Sequence, residues 1–175
     1  MRRILAAAAA LLIIGAARGY GARAPLLVDQ RGERFTLAQL RGRPLAVTFV
    51  SAHCHDVCPL IEAQIARAAQ YERSVHGSLR FLTITLDPER DSHADLVRVA
   101  RTFDADPAYW LIAGGNVSDV HRVMHEFGVV TARGGDGYAD AHSTFVTILR
   151  SDGSVNAVLL ASARLWQQLV HEENT

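Results

Sequence analysis

Three short apolar runs, each followed by an amphipathic helix, constrain this chain more than any other feature. Residues 45–51, 81–86 and 109–112 have the length and the Val, Thr, Ile and aromatic content of strands. Behind the first run, Ile61, Ile65 and Ala68 recur at helical spacing, and Pro59 suits a first turn, where its missing N–H costs nothing. Behind the second, Ser92-His93-Ala94-Asp95 reads as a capping box, and Leu96, Ala100 and Phe103 line one helix face. Behind the third, Val120, Val123, Met124 and Phe127 do the same. Such alternation brings strands together in parallel, with helices on both faces of the sheet.

The flanks complete the plan. Residues 26–37 have strand character on both sides of Arg31-Gly32, which predicts an N-terminal β-hairpin. Residues 144–149 and 155–160 are two strands joined through Asp152-Gly153, a strong hairpin signal, so the sheet gains an antiparallel edge. Leu165, Trp166, Leu169 and Val170 make a last amphipathic helix. Residues 128–141 hold four glycines and little periodicity, and read as a loop. The expected fold class is α/β: a thioredoxin-like fold, with a central mixed sheet flanked by helices and an N-terminal β-hairpin. Ligands of such sheets bind outside the carboxyl ends of the parallel strands. Cys54 and Cys58 follow the first central strand at that place.

The first residues read as an export segment. Arg2 and Arg3 precede an apolar run over residues 4–17, which ends at Arg18. The run is shorter than the ~20 residues of a membrane-spanning helix, which favours a cleavable signal peptide. Ala22-Arg23-Ala24 resembles a cleavage site, but Pro25 disfavours cleavage, so an uncleaved anchor is the alternative. The expected organisation is a signal peptide or anchor over residues 1–24 and one domain over residues 25–175. It would be periplasmic, or anchored in the inner membrane and facing the periplasm. Membrane contact is expected through the N-terminal segment only. The chain has 18 Lys plus Arg against 18 Asp plus Glu, so charge gives no reason to expect a nucleic-acid partner.

Two cysteines are too few for a disulfide scaffold and enough for one redox or metal pair. They stand in His53-Cys54-His55-Asp56-Val57-Cys58-Pro59. A helix N-terminus carries partial positive charge, which favours thiolate, the form that attacks disulfides and binds metal. If the stretch is helical, residues four apart share a face at an axial rise of ~6 Å, close enough to form a disulfide. Two thiolates on one face equally grip a soft ion, and Cu(I) is the ion that thiolates select. Two merely structural cysteines fit less well, because these are the chain's only two and lie at the ligand end.

At these residues the sequence resembles the Sco/SenC family of copper chaperones for cytochrome oxidase. The resemblance is carried by Phe35-Thr36-Leu37, Leu40-Arg41-Gly42-Arg43-Pro44, Cys54-His55-Asp56-Val57-Cys58-Pro59-Leu60, Leu86-Asp87-Pro88-Glu89-Arg90-Asp91 and His142-Ser143-Thr144, in that order. It implies a copper ion bound by Cys54, Cys58 and His142, with Asp87 near the site. It also implies a partner, the copper-centre subunit of a cytochrome oxidase; apart from the resemblance, a thiol–disulfide reductase is a further candidate partner. Two departures stand out. His55 replaces the family's usual proline, and the strand after His142 lacks the usual Asp-Pro.

Without that resemblance His142 would read as an ordinary surface histidine. His53 and His55 flank Cys54 and point in different directions, so each is expected to support the site or face solvent. His121 and His125 have zinc-like helical spacing but no third ligand nearby in sequence, so a solvated face is expected. The rival function is a thiol–disulfide oxidoreductase in which Cys54 attacks and Cys58 resolves. A redox sensor using the same pair is a third reading.

Overall fold

The computed structural model describes residues 23–54, 57–133, 139–142, 145–160, 162 and 164–172. The elements run β1 (Leu27–Asp29), β2 (Arg34–Phe35), β3 (Leu45–Val50), α1 (Val57–Val75), β4 (Arg80–Thr85), α2 (His93–Thr102), β5 (Trp110–Gly115), α3 (Val117–Glu126), β6 (Thr131–Arg133), β7 (Ala139–His142), β8 (Phe145–Leu149), β9 (Val155–Leu160) and α4 (Leu165–Glu172). The leader expected over residues 1–24 falls almost wholly outside the described residues, and no described helix is long and apolar enough to cross a membrane.

All six residues of β3 are buried, as befits an uninterrupted apolar strand at the centre of a sheet. It pairs in parallel with β4, Val50 opposite Thr85, and β4 pairs in parallel with β5. β8 adds to the other side of β3 in antiparallel sense, Val47 opposite Thr147, and β9 pairs with β8. The seven-stranded order is β2-β1-β5-β4-β3-β8-β9. The mixed sheet matches the sequence expectation. The N-terminal hairpin forms as well, and its β1 joins the main sheet through β5, Leu27 opposite Gly115.

The two sheet faces are buried under different helices. Ile61 and Ile65 of α1, Leu96 and Ala100 of α2, and Leu165 and Leu169 of α4 pack with Phe81, Trp110 and Ile148. On the other face Val120, Val123 and Met124 of α3 pack with Val47, Phe49, Leu82 and Ile84. Each buried Val, Leu, Ile, Phe or Met among these contributes ~1.5–3 kcal/mol, so the expected helical stripes are what hold the layers together. The Ser92 capping box forms as read, with Asp95 N–H donating to Ser92 Oγ and Ser92 N–H to Asp95 Oδ2.

One expectation is overturned. Residues 128–141 are not simply a loop: β6 and β7 form a separate two-stranded ribbon, Thr131 opposite His142. The ribbon stands outside the main sheet, so it lacks the alternating apolar pattern by which a strand is read. Gly153 does what its turn requires, at φ +87°, a left-handed conformation that glycine adopts without strain.

Candidate metal centre

The site begins where β3 ends. The chain turns at Ser51, whose carbonyl accepts from Cys54 N–H at 3.2 Å, and Cys54 stands just before α1. Cys58 lies in the first turn of α1, and its N–H donates to Cys54 Sγ at 3.4 Å. The sulfur thus serves one of the amide groups that a helix N-terminus leaves unsatisfied. Only Cys58 is helical, so the thiols are brought together by this cap rather than by a shared helix face. They are thiols, not a disulfide; Cys54 is partly exposed and Cys58 is buried.

Both cysteines line a cavity of about 350 Å³ with Ser51, Pro59, Glu62, Arg98 and Phe103. Burial pushes the Cys58 thiol up, and its hydrogen bond with Cys54 and the negative charges of Cys54 and Glu62 push the same way. The helix N-terminus was expected to favour thiolate. At Cys58 the loss of solvent outweighs it. A bound cation reverses that balance, because a coordinated thiol is deprotonated outright.

Glu62, one turn beyond Cys58, is fully buried, and burial raises its carboxyl to about 8 against the weaker effect of a Thr83 hydrogen bond. Thr83 Oγ1 donates to Glu62 Oε1 at 3.2 Å and accepts from Trp110 Nε1 at 3.0 Å. Sequence reading passed over Glu62. The available signal was an acid falling on the stripe of Ile61 and Ile65.

Asp91, which entered the sequence analysis only as the last residue of the Leu86–Asp91 motif, fastens the cysteine turn. Its side chain is fully buried and accepts from Ala52 N–H at 3.0 Å, from Thr85 Oγ1 at 2.6 Å and from His53 Nδ1 at 2.8 Å. His53, 31% exposed, is therefore held by Asp91 beside Cys54 in the chain. Asp87 is buried, its N–H donates to Thr85 Oγ1 at 3.0 Å, and Arg90 pairs with its carboxylate at 3.3 Å. His121 pairs with Glu89 at 3.3 Å on an exposed face.

His142 is placed by its backbone at the end of β7, three residues before β8, the antiparallel neighbour of β3. His55 lies outside the described residues. Among the described residues no three His, Cys, Asp or Glu side chains gather as a metal site, so the described part of the site is the thiol pair.

A mixed sheet with helices on both faces and a thiol pair at the start of its first long helix defines a thioredoxin-like domain. The SCO1/SenC family model matches residues 24–169, and the chain belongs to that family. An SCO2-like protein of Rickettsia typhi is 26% identical over 133 residues, 73% of this chain and 64% of the relative, so the chain spans less than two thirds of that protein. The structure of Arabidopsis thaliana ScoI with copper bound shares the fold at a TM-score of 0.73 and 20% identity, covering 85% of this chain and 94% of that one. BsSco, in which a disulfide switch was identified, shares it at 0.71 and 16%, covering 85% and 88%; it is described as a member of the Sco family of cytochrome c oxidase assembly proteins.

Proposed function

We propose that this chain is an exported metallochaperone that takes copper as cargo through Cys54, Cys58 and His142 and assists assembly of a cytochrome oxidase copper centre. The observation that carries the proposal is the thiol pair on one cavity wall, Cys58 N–H on Cys54 Sγ, in a chain of this family. Cu(I) suits two thiolates and imidazole. The copper-bound ScoI and the assembly role of the BsSco family support the same reading. Residues 1–24 serve as leader or anchor and residues 25–175 as the working domain on the periplasmic side. Because Cys58 must give up its proton to bind metal, copper uptake releases protons and weakens as pH falls.

A second reading has support in the difference between the two thiols. Cys54 is partly exposed and Cys58 buried with a raised thiol, the asymmetry of an attacking and a resolving cysteine in disulfide exchange. His142→Ala separates the two. A reductase needs no distant imidazole, so the variant would keep its disulfide couple and restore an oxidase-deficient deletion strain. The chaperone reading expects the couple to survive while copper affinity falls, one nitrogen ligand disappears from the X-ray absorption spectrum, and oxidase assembly fails as it does for Cys54→Ser and Cys58→Ser. Wild-type copper binding by His142→Ala together with a restored oxidase would overturn it.

A further inference from the structure

Resting on the anchor reading of residues 1–24, we infer that the cysteine-bearing end of the domain lies on the lipid surface to which that anchor holds it, through the exposed tips of Leu60, Val130 and Leu160. The sheet fixes which end receives the leader. β1 runs antiparallel to β5 with Leu27 opposite Gly115, the last residue of β5. β5, β4 and β3 are parallel, so the chain enters at the same end at which Cys54 follows β3. Arg122 Nη1 donates to the Arg23 carbonyl at 2.7 Å and ties the entering chain to α3. The leader's apolar run stops before Arg18. Even fully extended, the path from Arg18 to Arg23 spans at most about 18 Å. A retained leader therefore keeps the cysteine end, rather than the opposite end, next to the bilayer.

The surface of that end suits the neighbour. Leu160, Val130 and Leu60 are the most exposed large apolar side chains among the described residues, at 75%, 71% and 67%. Leu60 lies in the first turn of α1, two residues past Cys58. Leu160 pairs with Phe145 at the start of β8, and β8 runs antiparallel to β3, so Leu160 is level with the carboxyl end of β3. Val130 adjoins Thr131, the strand partner of His142. Single exposed leucines are ordinary on a soluble protein. Leu60, Val130 and Leu160 lie on separate segments that reach the end where the apolar leader enters, and exposed apolar tips at such an end make the shallow contact by which proteins sit on lipid. Val75 and Val155, at the opposite end, are less exposed, at 52% and 57%. Joined to the copper reading, on which this last step rests, the orientation means that copper is exchanged with a protein presenting its ligands at the lipid surface.

The test uses the full-length chain in nanodiscs of phosphatidylcholine and phosphatidylglycerol, with or without bromine on the acyl chains. Single variants Leu60→Trp, Leu160→Trp and Val75→Trp are compared with the parent, whose own two tryptophans give the background. Bromine is expected to quench the added emission at positions 60 and 160 and to leave that at 75 unchanged. Equal loss at all three positions, loss at 75 alone, loss at none, or a chain that does not stay with the nanodisc overturns the inference. Copper does not enter this readout, so failure of the orientation and failure of the copper reading are seen separately.

Discussion

Replacing Glu62 by glutamine should flatten the pH dependence of this domain's stability. Glu62 is fully buried and its carboxyl is raised to about 8 from an ordinary 4.5. The native state therefore keeps this proton at pH values where the unfolded chain has lost it. Below about pH 4.5 both states are protonated and the residue costs nothing. As pH rises the unfolded chain ionises first and is favoured, so stability falls until the native carboxyl also ionises near 8. Between pH 5 and pH 8 that loss is roughly 3–4 kcal/mol, a large part of a domain's usual stability. Glutamine keeps the shape and the Thr83 contact and has no proton to lose. The advantage of Glu62→Gln over its parent should thus widen by roughly 3–4 kcal/mol across the same range. The assay is urea unfolding at a series of pH values in a Cys54→Ser/Cys58→Ser background. That background is needed because the raised Cys58 thiol would add a slope of the same sign at higher pH. Parallel stability curves with and without the Glu62→Gln substitution would refute the reasoning.

Asp91→Ala leaves Ala52 N–H, the Thr85 hydroxyl and His53 without their acceptor, so unfolding should show a loss of roughly 2–4 kcal/mol. Copper competition should show weaker retention as the Cys54 turn loosens, whereas unchanged stability would mean that the carboxylate is not the fastener described. Ser92→Ala removes the capping acceptor for Asp95 N–H and should lower stability by ~1 kcal/mol in thermal or urea unfolding, leaving copper affinity unchanged.

The sheet was readable from sequence because its strands carry their burial with them. Six buried residues in β3 and the turn at Asp152-Gly153 announce themselves locally. The β6–β7 ribbon does not, because its strands pair with each other outside the main sheet and its residues follow no apolar period. The cysteines were found by count, spacing and position after a strand. Asp91 was missed for a different reason. Its meeting with His53 and Ala52 depends on the parallel register that sets Val50 beside Thr85, which is a relation between strands and not a property of either. Glu62 stood in plain view on the buried face of α1, but nothing local says that Thr83 of β4, itself held by Trp110, waits to receive it.

The strand order also governs how the molecule comes into being. A chain emerging N-terminus first presents β1 long before β5, its partner in the main sheet, and presents the cysteines before β8, which flanks β3. During that interval the thiol turn has no finished shelter. A protein with many cysteines would risk wrong connections at this stage. Here there are two, so only one intramolecular bond can form, and it joins the residues that already meet in the finished fold. Premature oxidation can therefore close that one bond but cannot misdirect the chain, and a single reduction step restores both thiols.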